Sequence, residues 1–104
     1  MKTEEKKKEV YNILVSNTDG DISEDAKEKF NESIDSILKI PFESILCKYY
    51  KDNEYLEYDL HMENGSVVSI GYFGKDEEVD YCICTDGEPL TLEMYNKIED
   101  AISD

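Results

Sequence analysis

One histidine and two closely spaced cysteines are the residues of this chain whose types could support metal or nucleophilic chemistry. Cys82 and Cys84 are separated by one residue, and His61 is the single histidine. Imidazole and thiolate bind zinc at about 2.0–2.3 Å, and a histidine can activate a cysteine. All three residues lie in segments that are predicted to form neighbouring antiparallel strands. The predicted strand pairing places His61 opposite Val67 and Val67 opposite Cys84, so about 9–10 Å separates the His61 and Cys84 backbones. This distance argues against a zinc site and a nucleophile–base pair, and we predict no metal and no other cofactor.

The segment 17–23 resembles the beginning of a calcium-binding loop. An EF-hand loop requires glycine at its sixth position, where this chain has Ile22. A helix–helix connection followed by an N-cap is therefore the favoured interpretation. No phosphate-binding loop, nucleophile elbow or oxyanion motif surrounds any cysteine or serine. We therefore predict that the protein is not an enzyme.

Acidic residues dominate the composition. The 104 residues contain 26 acids against 11 lysines and no arginine, which gives a net charge of −15. Such a chain repels phosphate, so we expect it to bind neither nucleic acid directly nor an anionic membrane. Its electrostatic field would instead attract a basic protein.

Hydrophobic spacing predicts helices at both ends of a single domain, 1–104. The first helix spans 4–16. Asp21 is the predicted N-cap of the second helix, with Glu24 completing a capping box, and Pro41 ends that helix after about Ile40. The last helix follows Pro89, and its predicted apolar face consists of Leu92, Tyr95, Ile98 and Ile102.

Between these helices the apolar period changes to two, which predicts strands at about 44–50, 54–62, 66–73 and 79–85. The predicted fold class is therefore α+β, with two N-terminal helices, a four-stranded antiparallel β-meander and one C-terminal helix. A two-residue loop before strand three would place Leu60 opposite Ser69 and mix the two faces. We therefore predict a three-residue loop, 63–65, with Gly65 left-handed and Leu60 opposite Val68.

The same alternation predicts which side chains face the core and which face outward. A two-residue loop at 52–53 brings the first strand into the same register. The predicted inward positions of the first and fourth strands are Ile45, Cys47, Tyr49, Val79, Tyr81 and Ile83. Outward carboxylates on a rigid body can imitate nucleic-acid phosphates, and aromatic side chains can anchor a partner. The predicted partner-binding residues are Tyr50, Tyr55, Glu57, Asp59, Phe73, Asp76, Glu77, Glu78 and Asp80.

The order of helices, Ile40-Pro41, tyrosine-rich meander and closing helix resembles the acidic immunity proteins, or antitoxins, of bacterial polymorphic toxins. The chain is also similar to phage-encoded inhibitors such as anti-CRISPR and anti-restriction proteins, which are small, acidic and α+β. The resemblance covers the whole chain in outline and transfers no functional residue. It implies stoichiometric blockade of a basic surface on a nuclease or another nucleic-acid-handling enzyme. The alternative is a small acidic interaction module without an inhibitory role.

The cysteine count and the termini bear on location. Three cysteines leave an odd thiol, no apolar stretch reaches 18 residues, and the N-terminal lysines are not followed by the apolar segment of a signal peptide. We therefore predict a cytoplasmic protein with reduced thiols and no membrane partner.

Overall fold

A computed structural model describes residues 2–18, 20–52, 54–73, 83–86 and 90–103. The elements in chain order are α1 (Lys2–Ser16), α2 (Glu24–Leu38), β1 (Ser44–Tyr50), β2 (Tyr55–His61), β3 (Val67–Phe73), β4 (Ile83–Asp86) and α3 (Leu92–Ser103). The strands are antiparallel and lie in the order β1-β2-β3-β4. Helices and an antiparallel sheet in separate parts of the chain confirm the predicted α+β class.

The predicted four-stranded antiparallel meander is wrong at its fourth strand. β1, β2 and β3 each have seven residues, whereas β4 spans Ile83–Asp86, and the earlier part of the predicted fourth strand, 79–82, lies outside the described residues. β4 pairs only with Val67–Ile70, so the body of the described sheet is three-stranded, β1-β2-β3. Val79 and Tyr81, which were predicted to face inward, lie outside the described residues. Alternation in sequence indicates the face on which a side chain lies, but it does not determine which residues of the neighbouring strand an edge strand pairs with.

The hairpin that joins β2 to β3 confirms the predicted three-residue loop. Leu60 lies opposite Val68, and Gly65 has a φ of 92°. The Gly65 amide donates to the Met62 carbonyl at 3.1 Å, and the Asn64 side chain accepts from the Ser66 amide at 3.0 Å. Asn64 and Gly65 thus form the hydrogen bonds of the turn with their own side chain and backbone. The length of this turn sets the register of the whole hairpin.

The connection between β1 and β2 keeps the predicted register but differs in its length. Tyr50 pairs with Tyr55, so four residues, 51–54, link the strands instead of two. Glu54 at the end of this loop has a φ of 52°, an uncommon left-handed conformation for a residue other than glycine. The Ser23 hydroxyl donates to the Glu54 carboxylate at 2.7 Å and ties the loop to the beginning of α2. The inward positions Ile45, Cys47 and Tyr49 are buried as predicted.

The helices cover one face of the sheet, which we call the inner face. Phe30 of α2 lies against Tyr58 of β2, with ring centroids 6.3 Å apart. The Ser33 and Tyr58 hydroxyls share a buried hydrogen bond of 2.7 Å. The fully buried side chains of this core include Val10, Leu14, Ile34, Ile37, Leu56, Leu60, Val68 and Ile70. The helices and the inner face of the sheet therefore share one apolar core.

The packing face of α3 differs from the predicted one. Ile98 is buried and Ile102 is partly buried, but Leu92 is 76% exposed and Tyr95 is 42% exposed. The side chains that pack against the core are Met94, Ile98, Ala101 and Ile102. Both sets have helical spacing, so only the docking of α3 on the core distinguishes between them.

The beginning of α2 also corrects a prediction, since Ser23 and not Asp21 is the N-cap. Ser23 has the extended φ and ψ of a cap, −65° and 157°, and its hydroxyl accepts from the Ala26 amide at 3.1 Å. The Tyr49 hydroxyl donates to the same oxygen at 3.2 Å. Asp and Ser are comparable caps in isolation, so these contacts with distant residues favour Ser23.

We expect Ser23→Ala to lower the free energy of unfolding by about 1–2 kcal/mol, because it removes a helix cap and its bonds to Tyr49 and Glu54. Urea unfolding monitored by circular dichroism measures this change. Asp21→Ala is the matched control, because Asp21 is the predicted cap and has a cap-type side chain, and it should cost less than about 0.5 kcal/mol. A larger cost for Asp21→Ala than for Ser23→Ala would reassign the cap.

Candidate functional site

The sheet face that points away from the helices, here called the outer face, carries the candidate site. On β1 and β2 its residues alternate with buried ones, as the period of two requires. The outer-face side chains of these two strands are Ser44, Leu46, Lys48, Tyr50, Tyr55, Glu57, Asp59 and His61. The structure therefore brings four of the predicted partner-binding residues together, namely Tyr50, Tyr55, Glu57 and Asp59.

The remaining predicted partner-binding residues are only partly covered by the structure. Phe73 pairs with Tyr55 through the backbone at the end of β3. Asp76, Glu77, Glu78 and Asp80 lie outside the described residues. The candidate site therefore consists of side chains of β1, β2 and the first part of β3.

Two tyrosines form the aromatic part of the site, which we call the tyrosine pair. The ring centroids of Tyr50 and Tyr55 are 5.9 Å apart with their planes at 40°, and Tyr50 is 45% exposed. The Tyr55 ring lies across Gly71 so closely that a Cβ at position 71 would overlap it. Glycine at position 71 thus allows Tyr55 to lie flat along the sheet beside Tyr50, which creates a broad aromatic surface.

Two carboxylates lie next to the tyrosine pair along β2. Asp59 accepts a hydrogen bond of 2.8 Å from the Ser69 hydroxyl and lies 3.6 Å from the Lys48 ammonium. Its side chain is only 13% exposed. These partners hold Asp59 in one position at the centre of the outer face.

Glu57 is the less compensated of the two carboxylates. Its pKa is raised mainly because it is partly removed from water, and then by the negative charge of Asp59 and a hydrogen bond between the two groups. The charge of Lys48 and a hydrogen bond from Tyr50 act in the opposite direction but do not cancel the shift. A positively charged group from outside the chain would therefore stabilise the ionised form of this pair.

Ser69 and Gly71 also belong to this site, although they were not among the residues predicted from the sequence. Ser69 lies opposite Asp59, and Gly71 lies opposite Glu57. Both pairings follow from the predicted β2–β3 register, so that register contained the information needed to find them. What it could not show is that the Tyr55 ring occupies the space above Gly71.

The histidine and cysteines do not occupy the predicted positions relative to one another. His61 lies opposite Val67 as expected, but Val67 lies opposite Asp86, and Cys84 lies opposite Ser69. The β3–β4 register is thus shifted by two residues, which preserves the faces but changes the neighbours. Cys82 lies outside the described residues. Over the ranges that the structure describes, no three of the His, Cys, Asp and Glu residues are grouped to hold a metal ion.

Cys47 lies on the inner face and is fully buried. Burial raises the pKa of its thiol, and the nearby Asp59 and Glu57 carboxylates raise it further. The thiolate is the nucleophilic form of cysteine, so this residue is suited to packing and not to nucleophilic chemistry.

Comparison with known proteins identifies no relative of this chain. No protein-family model matches the chain, and neither a curated protein nor a solved structure matches it. None of the helices in the described ranges has the length and apolar character needed to cross a membrane. The chemistry of the outer face is therefore the basis for assigning a function.

Proposed function

We propose that this protein is a non-enzymatic acidic inhibitor that binds a basic nucleic-acid-binding surface of a nuclease or another nucleic-acid-handling enzyme and blocks it. The observation that carries the proposal is the adjacency of the tyrosine pair to Glu57 and Asp59 on the outer face. Aromatic anchors beside acidic groups are suited to a surface whose natural ligand is a chain of phosphates and bases.

The charge of the chain supports a basic partner. A net charge of −15 on 104 residues attracts a positively charged surface over distances of about 8–10 Å at moderate salt. Near contact, lysine or arginine side chains of the partner would stabilise ionised Glu57, whose pKa is raised within this chain by burial and by the charge of Asp59. Electrostatic attraction thus sets the rate of association and selects basic partners.

The tyrosine pair supports the affinity of the protein for its partner, in addition to the selection of basic partners by charge. Binding energy in protein interfaces concentrates in a few large side chains, among which tyrosine is enriched, whereas exposed rim charges contribute little. Tyr50 and Tyr55 lie at one end of β1 and β2, and each ring presents apolar area together with a hydroxyl group. On this proposal they contact the partner directly, and the carboxylates orient it.

The resemblance to toxin immunity proteins and to phage inhibitors agrees with this mechanism, since both groups block an enzyme by occupying its surface. We place the interaction in the cytoplasm, where nucleic-acid-handling enzymes act on their substrates. A toxin gene next to the gene for this protein would indicate immunity, and a phage operon would indicate counter-defence.

A pull-down from lysate of the native host with the tagged full chain, at low and at physiological salt, tests the proposal. We expect it to capture a basic nucleic-acid-handling enzyme, which the purified protein inhibits at one-to-one stoichiometry. Raising salt should slow association more than it speeds dissociation. A captured partner whose activity is unchanged would instead support an interaction module, and a salt-independent association rate would exclude electrostatic steering.

A further inference from the structure

A groove between α1 and α2 lies on the opposite side of the molecule from the outer face. Its volume is about 450 Å³, within the roughly 300–1,000 Å³ of pockets that hold small molecules. Phe30 lies under the groove and contacts Tyr58 on the inner face, which places the groove in the helical layer. The groove is therefore separate from the surface that we assign to the protein partner.

Positively charged side chains are concentrated in this groove although the chain as a whole is strongly acidic. Lys7, Lys8 and Lys27 line it, and Glu4 is the acidic residue among the lining side chains. The lining thus carries more positive than negative charge in a protein with a net charge of −15. The groove is suited to an anion that is small enough to contact these lysines without approaching the remaining acids.

Two of the lysines have acidic partners that a ligand can replace. The Lys7 ammonium lies 2.8 Å from Asp35 and 3.7 Å from Glu4, and the Lys27 ammonium lies 3.4 Å from Glu24. All three carboxylates are exposed to solvent, and exposed ion pairs contribute only about 0–1 kcal/mol. Exchanging them for the anionic group of a ligand therefore has a small cost, while the pairs keep the lysines near the groove when it is empty.

The rest of the lining is aromatic and amidic. The rings of Tyr11 and Phe30 meet edge to face with centroids 5.5 Å apart, and Tyr11 is only partly buried. The side-chain amides of Asn12 and Asn31, which donate and accept hydrogen bonds, lie along the same groove. An aromatic surface beside cations and amides matches a planar ring that carries one anionic group.

We propose that the groove between α1 and α2 binds a small aromatic anion, with its ring against Tyr11 and its phosphate or carboxylate group among Lys7, Lys8 and Lys27. At physiological salt, charge interactions in water are screened over about 8 Å. Once the exposed partners Asp35 and Glu24 give way to the ligand, the lysines therefore act on it more strongly than the acids outside the groove do. A long polyanion would extend beyond the groove and meet those acids. The site therefore discriminates in favour of compact anions.

Titration of the full chain with four probes at physiological salt tests this proposal by calorimetry and amide chemical shifts. The probes are 1-naphthyl phosphate, 1-naphthoate, 1-naphthol and inorganic phosphate. We expect one or both of the aromatic anions to bind about tenfold or more tightly than naphthol and inorganic phosphate, because ring and anion contacts add. The difference between the two aromatic anions identifies the preferred anionic group. The proposal would be overturned if 1-naphthol or inorganic phosphate bound as tightly as the aromatic anions. It would also be overturned if neither aromatic anion bound.

Lysine substitutions locate the site. Lys8→Gln and Lys27→Gln should each weaken binding of the tighter aromatic anion by about twofold to fivefold. Lys97→Gln is the matched control, because Lys97 is an exposed lysine on α3 that also pairs with a glutamate, at 3.7 Å. It should leave the affinity unchanged. An equal loss in Lys97→Gln would show a general effect of net charge and would overturn the assignment to the groove.

Discussion

Tyr58→Ala is expected to lower the free energy of unfolding by about 3–5 kcal/mol, a large part of the roughly 5–15 kcal/mol typical of a small domain. Tyr58 is 0% exposed, and its ring meets those of Phe30 and Tyr72 at centroid distances of 6.3 and 6.0 Å. Its removal leaves a cavity between the sheet and α2 and also breaks the buried hydrogen bond to Ser33. Urea unfolding monitored by circular dichroism measures the loss.

Two controls separate the sources of this effect. Tyr58→Phe removes only the hydroxyl, and it should cost about 0.5–1.5 kcal/mol because Ser33 still donates to the Lys29 carbonyl. Tyr55→Ala removes an aromatic ring from the outer face of the same strand, and loss of its cross-strand contacts should cost about 1 kcal/mol or less. A larger loss for Tyr55→Ala than for Tyr58→Ala would exchange the two faces, and the proposed binding surface would fail with them.

The double variant Tyr50→Ala/Tyr55→Ala is expected to weaken binding of the captured partner by about 2 kcal/mol or more, equal to about thirtyfold in Kd. The two rings form one continuous surface, and Tyr50 also donates a hydrogen bond that supports ionised Glu57. Both the anchoring area and part of the charge arrangement are therefore lost together. Surface plasmon resonance with the purified partner measures the change, mainly as faster dissociation.

Tyr95→Ala is the matched control for this binding experiment. Tyr95 has nearly the same exposure as Tyr50, 42% against 45%, but lies on α3. Its replacement should leave the affinity within about twofold, since residues outside a contact surface contribute little. Glu57→Lys should weaken binding by reversing a charge beside the tyrosine pair. Unchanged affinity in the double variant, together with a loss in Tyr95→Ala, would move the interface away from the outer face.

The sequence by itself was sufficient for the β2–β3 hairpin and for the assignment of residues on β1, β2 and β3 to the two sheet faces. The information is local in both cases. Asn64 and Gly65 satisfy the turn with their own side chain and backbone conformation, and the pleat alternates successive side chains between faces. The outward placement of Tyr55 and the inward placement of Tyr58 follow from that one register. Tyr50, Tyr55, Glu57 and Asp59 of the candidate site were therefore predictable from neighbouring residues, whereas Ser69 and Gly71 were not assigned to it.

Only the tertiary structure decided the features for which two local solutions were equally good. Asp21 and Ser23 can both cap a helix, and contacts from Tyr49 and Glu54, 26 and 31 residues away in the chain, favour Ser23. On α3, packing against the core favours Met94 over Leu92.

The same holds for features that require two elements to meet. The two-residue shift between β3 and β4 leaves every face unchanged, so alternation could not detect it. The groove that contains Lys8 and Lys27 exists only because α1 and α2 dock side by side. Periodicity reports which side of an element is apolar, but the position of one element along another is set by the packing of side chains that are distant in sequence.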